Sequence, residues 1–135
     1  MNEVVLQRLN TPNENGVVFT REAFDAQLNS LDPSSLGQRL KAGLVVGEFN
    51  PEDRTAQLVD PDNVCVKIYS AFISDGCVMG MVAAEGPKAK LLQEIIDARL
   101  PITLQMRALV EQSDPTNPKK VTRLNNIITF DLVTY

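Results

Sequence analysis

Three stretches of this sequence hold side chains whose types and spacing suit chemistry. The run GEFNPED, Gly47 to Asp53, sets Glu48, Glu52 and Asp53 around an Asn50-Pro51 turn. Carboxylates this close together can serve as an acid and a base, or hold a hard metal ion through oxygen. Their spacing fits no calcium loop and acidic turns are ordinarily hydrated, so no metal is expected there. In ITFDLV, Ile128 to Val133, Asp131 interrupts an apolar strand. A carboxylate in a covered strand needs a partner, because an unpaired buried charge is costly. Arg107 and Arg123 are the candidates, and a structural ion pair is the simplest expectation. The third stretch, ITLQMRALV, Ile102 to Val110, alternates like a strand but carries Gln105, Met106 and Arg107 at its middle. Parity puts Ile102, Leu104, Met106, Ala108 and Val110 on one face and Thr103, Gln105, Arg107 and Leu109 on the other. Met106 then belongs to the core, and Gln105 and Arg107 to a polar edge.

Other chemistry is missing from the chain. It has no histidine, which removes both the commonest general base and the commonest metal ligand. No Gly-rich phosphate loop and no Ser-His-Asp or Cys-His set occurs. The two cysteines, Cys65 and Cys77, are expected to stay apart. Asp75-Gly76 is a two-residue hairpin turn that pairs Ser74 with Cys77. Cys65 then falls opposite Gly86, about nine residues along the ladder from Cys77, or on the order of 30 Å, beyond disulfide reach. Both read as buried small apolar residues, and a zinc site is not expected. The hydroxyls of Ser70, Ser74, Thr103 and Thr122 and the thiol of Cys77 remain as nucleophiles, none with a visible base.

The elements that must position these groups follow from pattern and punctuation. The 135 residues suit a single domain spanning 1–135, and 44% apolar content is enough for a core. A net charge of −4 argues against nucleic-acid or anionic-membrane surfaces. No run approaches the roughly 18 apolar residues of a membrane span, and the N-terminus does not read as a signal peptide; a soluble, intracellular protein is expected. Strands are predicted over Glu3 to Leu9, Val17 to Phe19, Gly43 to Phe49 and Thr55 to Val59. A hairpin follows, Asn63 to Ile73 with Cys77 to Ala84, with Val64, Val66, Ile68 and Phe72 sharing a face. Thr20 caps a helix over Arg21 to Leu31, with Phe24, Leu28 and Leu31 on one side; Asp32 to Ser35 ends it or begins a short second helix. A helix from Pro87 to Leu100 carries the stripe Leu91, Leu92, Ile95, Ile96. Strands Ile102 to Gln112 and Val121 to Tyr135 are joined by the loop SDPTNPKK.

Taken in order, several of these runs resemble the phage prohead core protease family, which has a herpesvirus-assemblin-like fold. NENGVVFTREAFDAQL, residues 13–28, is similar to the family's Asn-x-Asn-Gly-Arg-x-Tyr opening and its helix. GEFNPED resembles its Gly-Glu-Leu-x-His-Pro segment. The run from Val59 to Leu109 is similar to its strand, hairpin, Thr-Pro-x-Gly and helix, ending at a Ser-Ser-Arg motif. IITFDLVTY resembles its closing Ile-x-x-Phe-Asp-Leu-Val strand. The resemblance implies an α+β fold: a mainly antiparallel β-barrel or strongly curved sheet flanked by two or more helices.

The departures fall at the family's catalytic positions. Asn50-Pro51 stands where His-Pro would be, in a segment one residue shorter, and Gln105-Met106-Arg107 stands where Ser-Ser-Arg would be. Asparagine takes no proton at neutral pH, and neither an amide nor a thioether forms an acyl intermediate. Glu48 and Asp131 are retained. The resemblance so altered implies a chain with no catalytic residue, cofactor or metal. It implies a non-enzymatic phage head protein, either a capsid-associated assembly protein or a regulator of the true protease, in the host cytoplasm or the virion. Its expected partners are other head or core proteins, or copies of itself in a homo-oligomer, and not nucleic acid or membrane. Two alternatives stand beside it: an active prohead-type endopeptidase with displaced catalytic residues, and a small phage inhibitor of a host defence protein.

Overall fold

Asp75 and Gly76 both take positive φ, 50° and 74°, the backbone that lets two antiparallel strands close over a two-residue turn. Around this hairpin the computed structural model, which describes residues 1–13 and 15–134, with the backbone alone at 110–112, places a single 3-10 turn (Pro61–Asn63) and ten strands and α-helices. They are β1 (Asn2–Arg8), β2 (Val18–Phe19), α1 (Arg21–Asn29), α2 (Leu36–Lys41), β3 (Val46–Glu48), β4 (Val64–Ser74), β5 (Cys77–Ala84), α3 (Ala89–Asp97), β6 (Leu104–Asp114) and β7 (Asn117–Leu132). The strands form two sheets, ordered β1-β5-β4-β3 and β2-β7-β6. Among the described residues every strand-to-strand ladder is antiparallel except that of β2 with β7. The expected α+β, mainly antiparallel architecture with flanking helices is therefore present, with the barrel left open.

The sheets join at one side and part at the other. Phe49, just past β3, bridges Leu132 of β7. Gly47 lies so close to β7 that a Cβ there would overlap the Phe130 carbonyl. On the far side β1 and β6 are the outer strands of their sheets and run near each other without pairing.

The main-chain register explains where the sequence reading fails. From Ser74↔Cys77 to Ser70↔Met81 the hairpin keeps the register that the Asp-Gly turn sets, and then Ile68 pairs Val82. Tyr69 is the extra residue, a bulge that reverses the parity of the strand beyond it. Val64, Val66 and Ile68 are buried, while Phe72 is 39% exposed and Ala71 and Ile73 pack inward. The bulge also sets the Glu85 N–H on the Cys65 carbonyl, and both cysteines are free.

The Thr20 hydroxyl accepts from Ala23 N–H and starts α1 as expected, but the helix ends at Asn29 and Leu31 is 86% exposed. Ser35 caps α2. The third helix is shorter than Pro87 to Leu100, and its Leu92 is buried. Thr55 to Val59 forms turns and bends rather than a strand; the Asp53 carboxylate takes the Thr55 N–H and hydroxyl into a local turn. SDPTNPKK is mostly strand. β6 reaches Asp114 and β7 begins at Asn117, and the Asp114 carboxylate accepts from Thr116 across the tip. The predicted facing of Val110 and the strand end at Tyr135 lie outside the described residues.

The core fills the space between the sheets and under the helices: Leu6, Phe24, Leu36, Ile68, Val78, Val82, Leu92, Ile127, Phe130 and Leu132. Each such side chain contributes about 1.5–3 kcal/mol by leaving water. Polar groups reach in where ladder bonds are missing. Gln27 donates to the Leu124 carbonyl, and Arg39 donates to the carbonyls of Ile127 and Ile128, beside a register shift in the β6–β7 ladder. No helix among the described residues is long and apolar enough to cross a membrane.

Candidate functional site

The ladder between β6 and β7 sets Gln105 against Asp131 and Arg107 against Thr129. This brings the two charged groups of the sequence reading onto one face. β3 then adds Glu48. Arg107 Nη2 donates to Glu48 Oε2 at 2.8 Å and to Asp131 Oδ1 at 3.2 Å. A second cation, Arg54, donates through Nη1 to Asp131 Oδ2 at 2.8 Å. The Glu48 N–H reaches Asp131 Oδ1 at 3.0 Å. Asp60 N–H and Asn63 Nδ2 complete the Glu48 carboxylate.

Arg107 is not on a polar edge, since it is only 2% exposed. Parity correctly turns it away from the apolar core. That face, however, is covered by β3 and by the segment that carries Arg54 and Asn63, so the edge is an interior. Met106, on the apolar side, is half-buried against the core. Asp131 finds Arg107 as expected, with Arg54 as its other cation. Nothing local in the sequence pointed to Arg54, which lies 77 positions from its carboxylate in an aperiodic polar run.

Burial works against the charge of both acids, with different outcomes. At Glu48 burial pulls the pKa up, but hydrogen bonds from Arg107, Asn63 and the Asp60 N–H outweigh it and leave the carboxyl below its ordinary value. At Asp131 burial wins, and the value is raised despite the Glu48 N–H and both arginines. Arg107 Nε and Nη1 find no acceptor among the described residues. The three carboxylates of GEFNPED diverge. Glu48 turns in to Arg107, Asp53 ties Thr55, and Glu52 is exposed. Cys65 is buried, and that burial together with the nearby Asp131 carboxylate pushes its thiol up to about 12, far from a reactive thiolate. Asn50, at φ 42°, spends its side chain on Thr134, accepting from the N–H and donating to the hydroxyl.

The outer side of β6 is the open one. Val133 N–H donates to the Thr103 carbonyl, which makes 103 and 133 a hydrogen-bonded pair. In an antiparallel ladder such pairs alternate with non-bonded ones. Leu104 and Met106, opposite Leu132 and Phe130, therefore turn their N–H and C=O groups away from β7. They face a cleft of about 730 Å³. One wall is Val5 to Arg8 of β1, the other is Ile102 to Met106, and Arg54 reaches in between. Among the nucleophiles the sequence offers, Thr103 lines this cleft, and Ser70 lines a second, smaller hollow beside α1 and α2. Among the described residues, the charged ones lining the cleft are Arg8 and Arg54.

A profile of the Peptidase S80 family matches residues 1–135. The fold is similar to that in the "Structure of the bacteriophage T4 capsid assembly protease, gp21", with a TM-score of 0.74 at 19% identity, covering 98% of this chain and 80% of that one. Comparison with curated proteins gave no match. These findings bear out the resemblance and the fold drawn from sequence. They overturn the expectation of a chain that is not an enzyme, because a peptidase family is matched from end to end. The physical reason is that Asn50 and Gln105-Met106 exclude two particular groups, whereas a nucleophile and a proton acceptor are defined by geometry and have no fixed place in sequence.

Proposed function

The chain belongs to the Peptidase S80 family, and from that premise we propose that it is an endopeptidase of phage head assembly, cutting extended segments of other head proteins. The observation that carries this reading is the cleft between two outer strands, with the main-chain groups of Leu104 and Met106 turned into it. An extended segment adds there as a further strand beside β6. Main-chain hydrogen bonds supply affinity, and alternate side chains meet the walls. Those walls are apolar at Val5, Leu6, Ile102 and Leu104 and cationic at Arg8 and Arg54.

The buried ion cluster serves this geometry. Arg107 ties β6 to β3 through Glu48 and to β7 through Asp131, so the edge is held in place before any segment arrives. Thr103 supplies the hydroxyl. Its Oγ1 adds to the scissile carbonyl, and its proton leaves to water in the cleft, since the chain has no imidazole to receive it. The amine departs with a proton, and a second water frees the acyl threonine. The work is done in the assembling head, in the host cytoplasm, with head or core proteins as substrates.

The test is to incubate purified protein with the head precursors of the same phage and follow their intact masses. Discrete products are expected, and Thr103→Ala should slow their appearance by about a hundredfold or more while peptide binding stays. Precursors that remain whole with the wild-type protein reject the proposal.

A further inference from the structure

We infer that Arg54 is a displaceable cover on the β6 edge, occupying the acceptor that an incoming strand must take. The inference rests on the strand-addition reading above and concerns how that edge is guarded. The Arg54 guanidinium holds two oxygens at once. Nη1 donates to Asp131 Oδ2 at 2.8 Å, and Nη2 donates to the Met106 carbonyl at 3.3 Å. The ladder geometry turns that carbonyl toward the cleft, which is where a paired segment would present a backbone N–H.

The two ends of this fork are unequal. The Asp131 end is short, charge-assisted and made to a carboxylate that is fully buried, whereas the Met106 end is long and made to a neutral carbonyl. Arg54 itself is about one-third exposed, with 32% of its side-chain surface accessible, and lines the cleft. A segment can therefore take the Met106 carbonyl while Arg54 pivots and keeps its carboxylate, so no buried charge is stranded. Two consequences follow. With its Met106 acceptor covered, the edge resists casual pairing, the hazard of any outer strand. A segment that replaces Arg54 must also bring an N–H to that point, which excludes proline from the position that meets the Met106 carbonyl.

The test compares wild type, Arg54→Lys and Arg54→Ala for binding of fluorescently labelled peptides tiled across the head precursors, read by anisotropy, with thermal melts to show that each variant is folded. Lysine keeps a cation beside Asp131 but lacks the fork that spans both oxygens, so it carries the test if the alanine variant does not fold. The expected result is binding about tenfold tighter in the folded variants, the worth of one competing hydrogen bond. Equal or weaker binding by those variants, with wild type binding, overturns the inference alone and makes Arg54 a bystander or an anchor. No peptide bound by any of the proteins removes the strand-addition reading itself.

Discussion

At the scale of single residues, Arg107 decides how the interior is held. It stands between two buried carboxylates, and removing it leaves, among the described residues, Arg54 as the cation bonded to Asp131 and none bonded to Glu48. Arg107→Met should cost about 3–5 kcal/mol, seen as a fall of about 10 °C or more in the melting midpoint; an unchanged midpoint would mean the cluster holds nothing. Glu48 gives a pH signature. A carboxyl held below its ordinary value of 4.5 adds stability that is complete above that value and is lost as pH falls through the lower, folded one. Asp131 runs the other way. Its raised value means that proton uptake, starting above its ordinary 3.8, relieves the cost of burying charge. Urea midpoints of wild type and Glu48→Gln should therefore converge as pH drops below about 4.5, and a constant gap would contradict this. The sequence showed that Asp131 needs a partner and that Arg107 could be one. It could not show Glu48 and Arg54 arriving from distant segments, because no local pattern encodes a contact that only the closed fold makes.

At the scale of elements, the joint between the sheets is a contact of backbone with backbone. Gly47→Ala should be strongly destabilising, since its Cβ has no room against the Phe130 carbonyl, whereas Gly76→Ala meets nothing nearby and strains only its own positive φ. Comparing the two midpoints separates crowding from backbone conformation. Thiol labelling tests burial along the hairpin: Cys77, half-buried, should react in the native state, and Cys65 only on unfolding. The hairpin itself was legible because Asp75-Gly76 fixes a turn of known geometry. The Tyr69 bulge was not, for nothing in VCVKIYSAFIS distinguishes a strand with one extra residue from one without. The polar run SDPTNPKK misled in the opposite sense, since an exposed hairpin arm and a loop share the same composition. Thr55 to Val59 lost its strand because side chains such as Asp53 bond their own backbone.

At the scale of the whole molecule, the family and the α+β architecture were legible in the order of the motifs, while the opening between β1 and β6 was not. Whether a curved sheet closes depends on the reach of its outer strands, and strand patterns carry no record of it. That opening is what a substrate would use. The most direct measurement is amide hydrogen exchange at Leu104 and Met106, read by NMR as a bound head-precursor peptide is titrated in. Exchange should slow at these two alternate residues, whose N–H groups face the cleft. A peptide that binds or is cut without protecting either amide would contradict strand addition at the β6 edge.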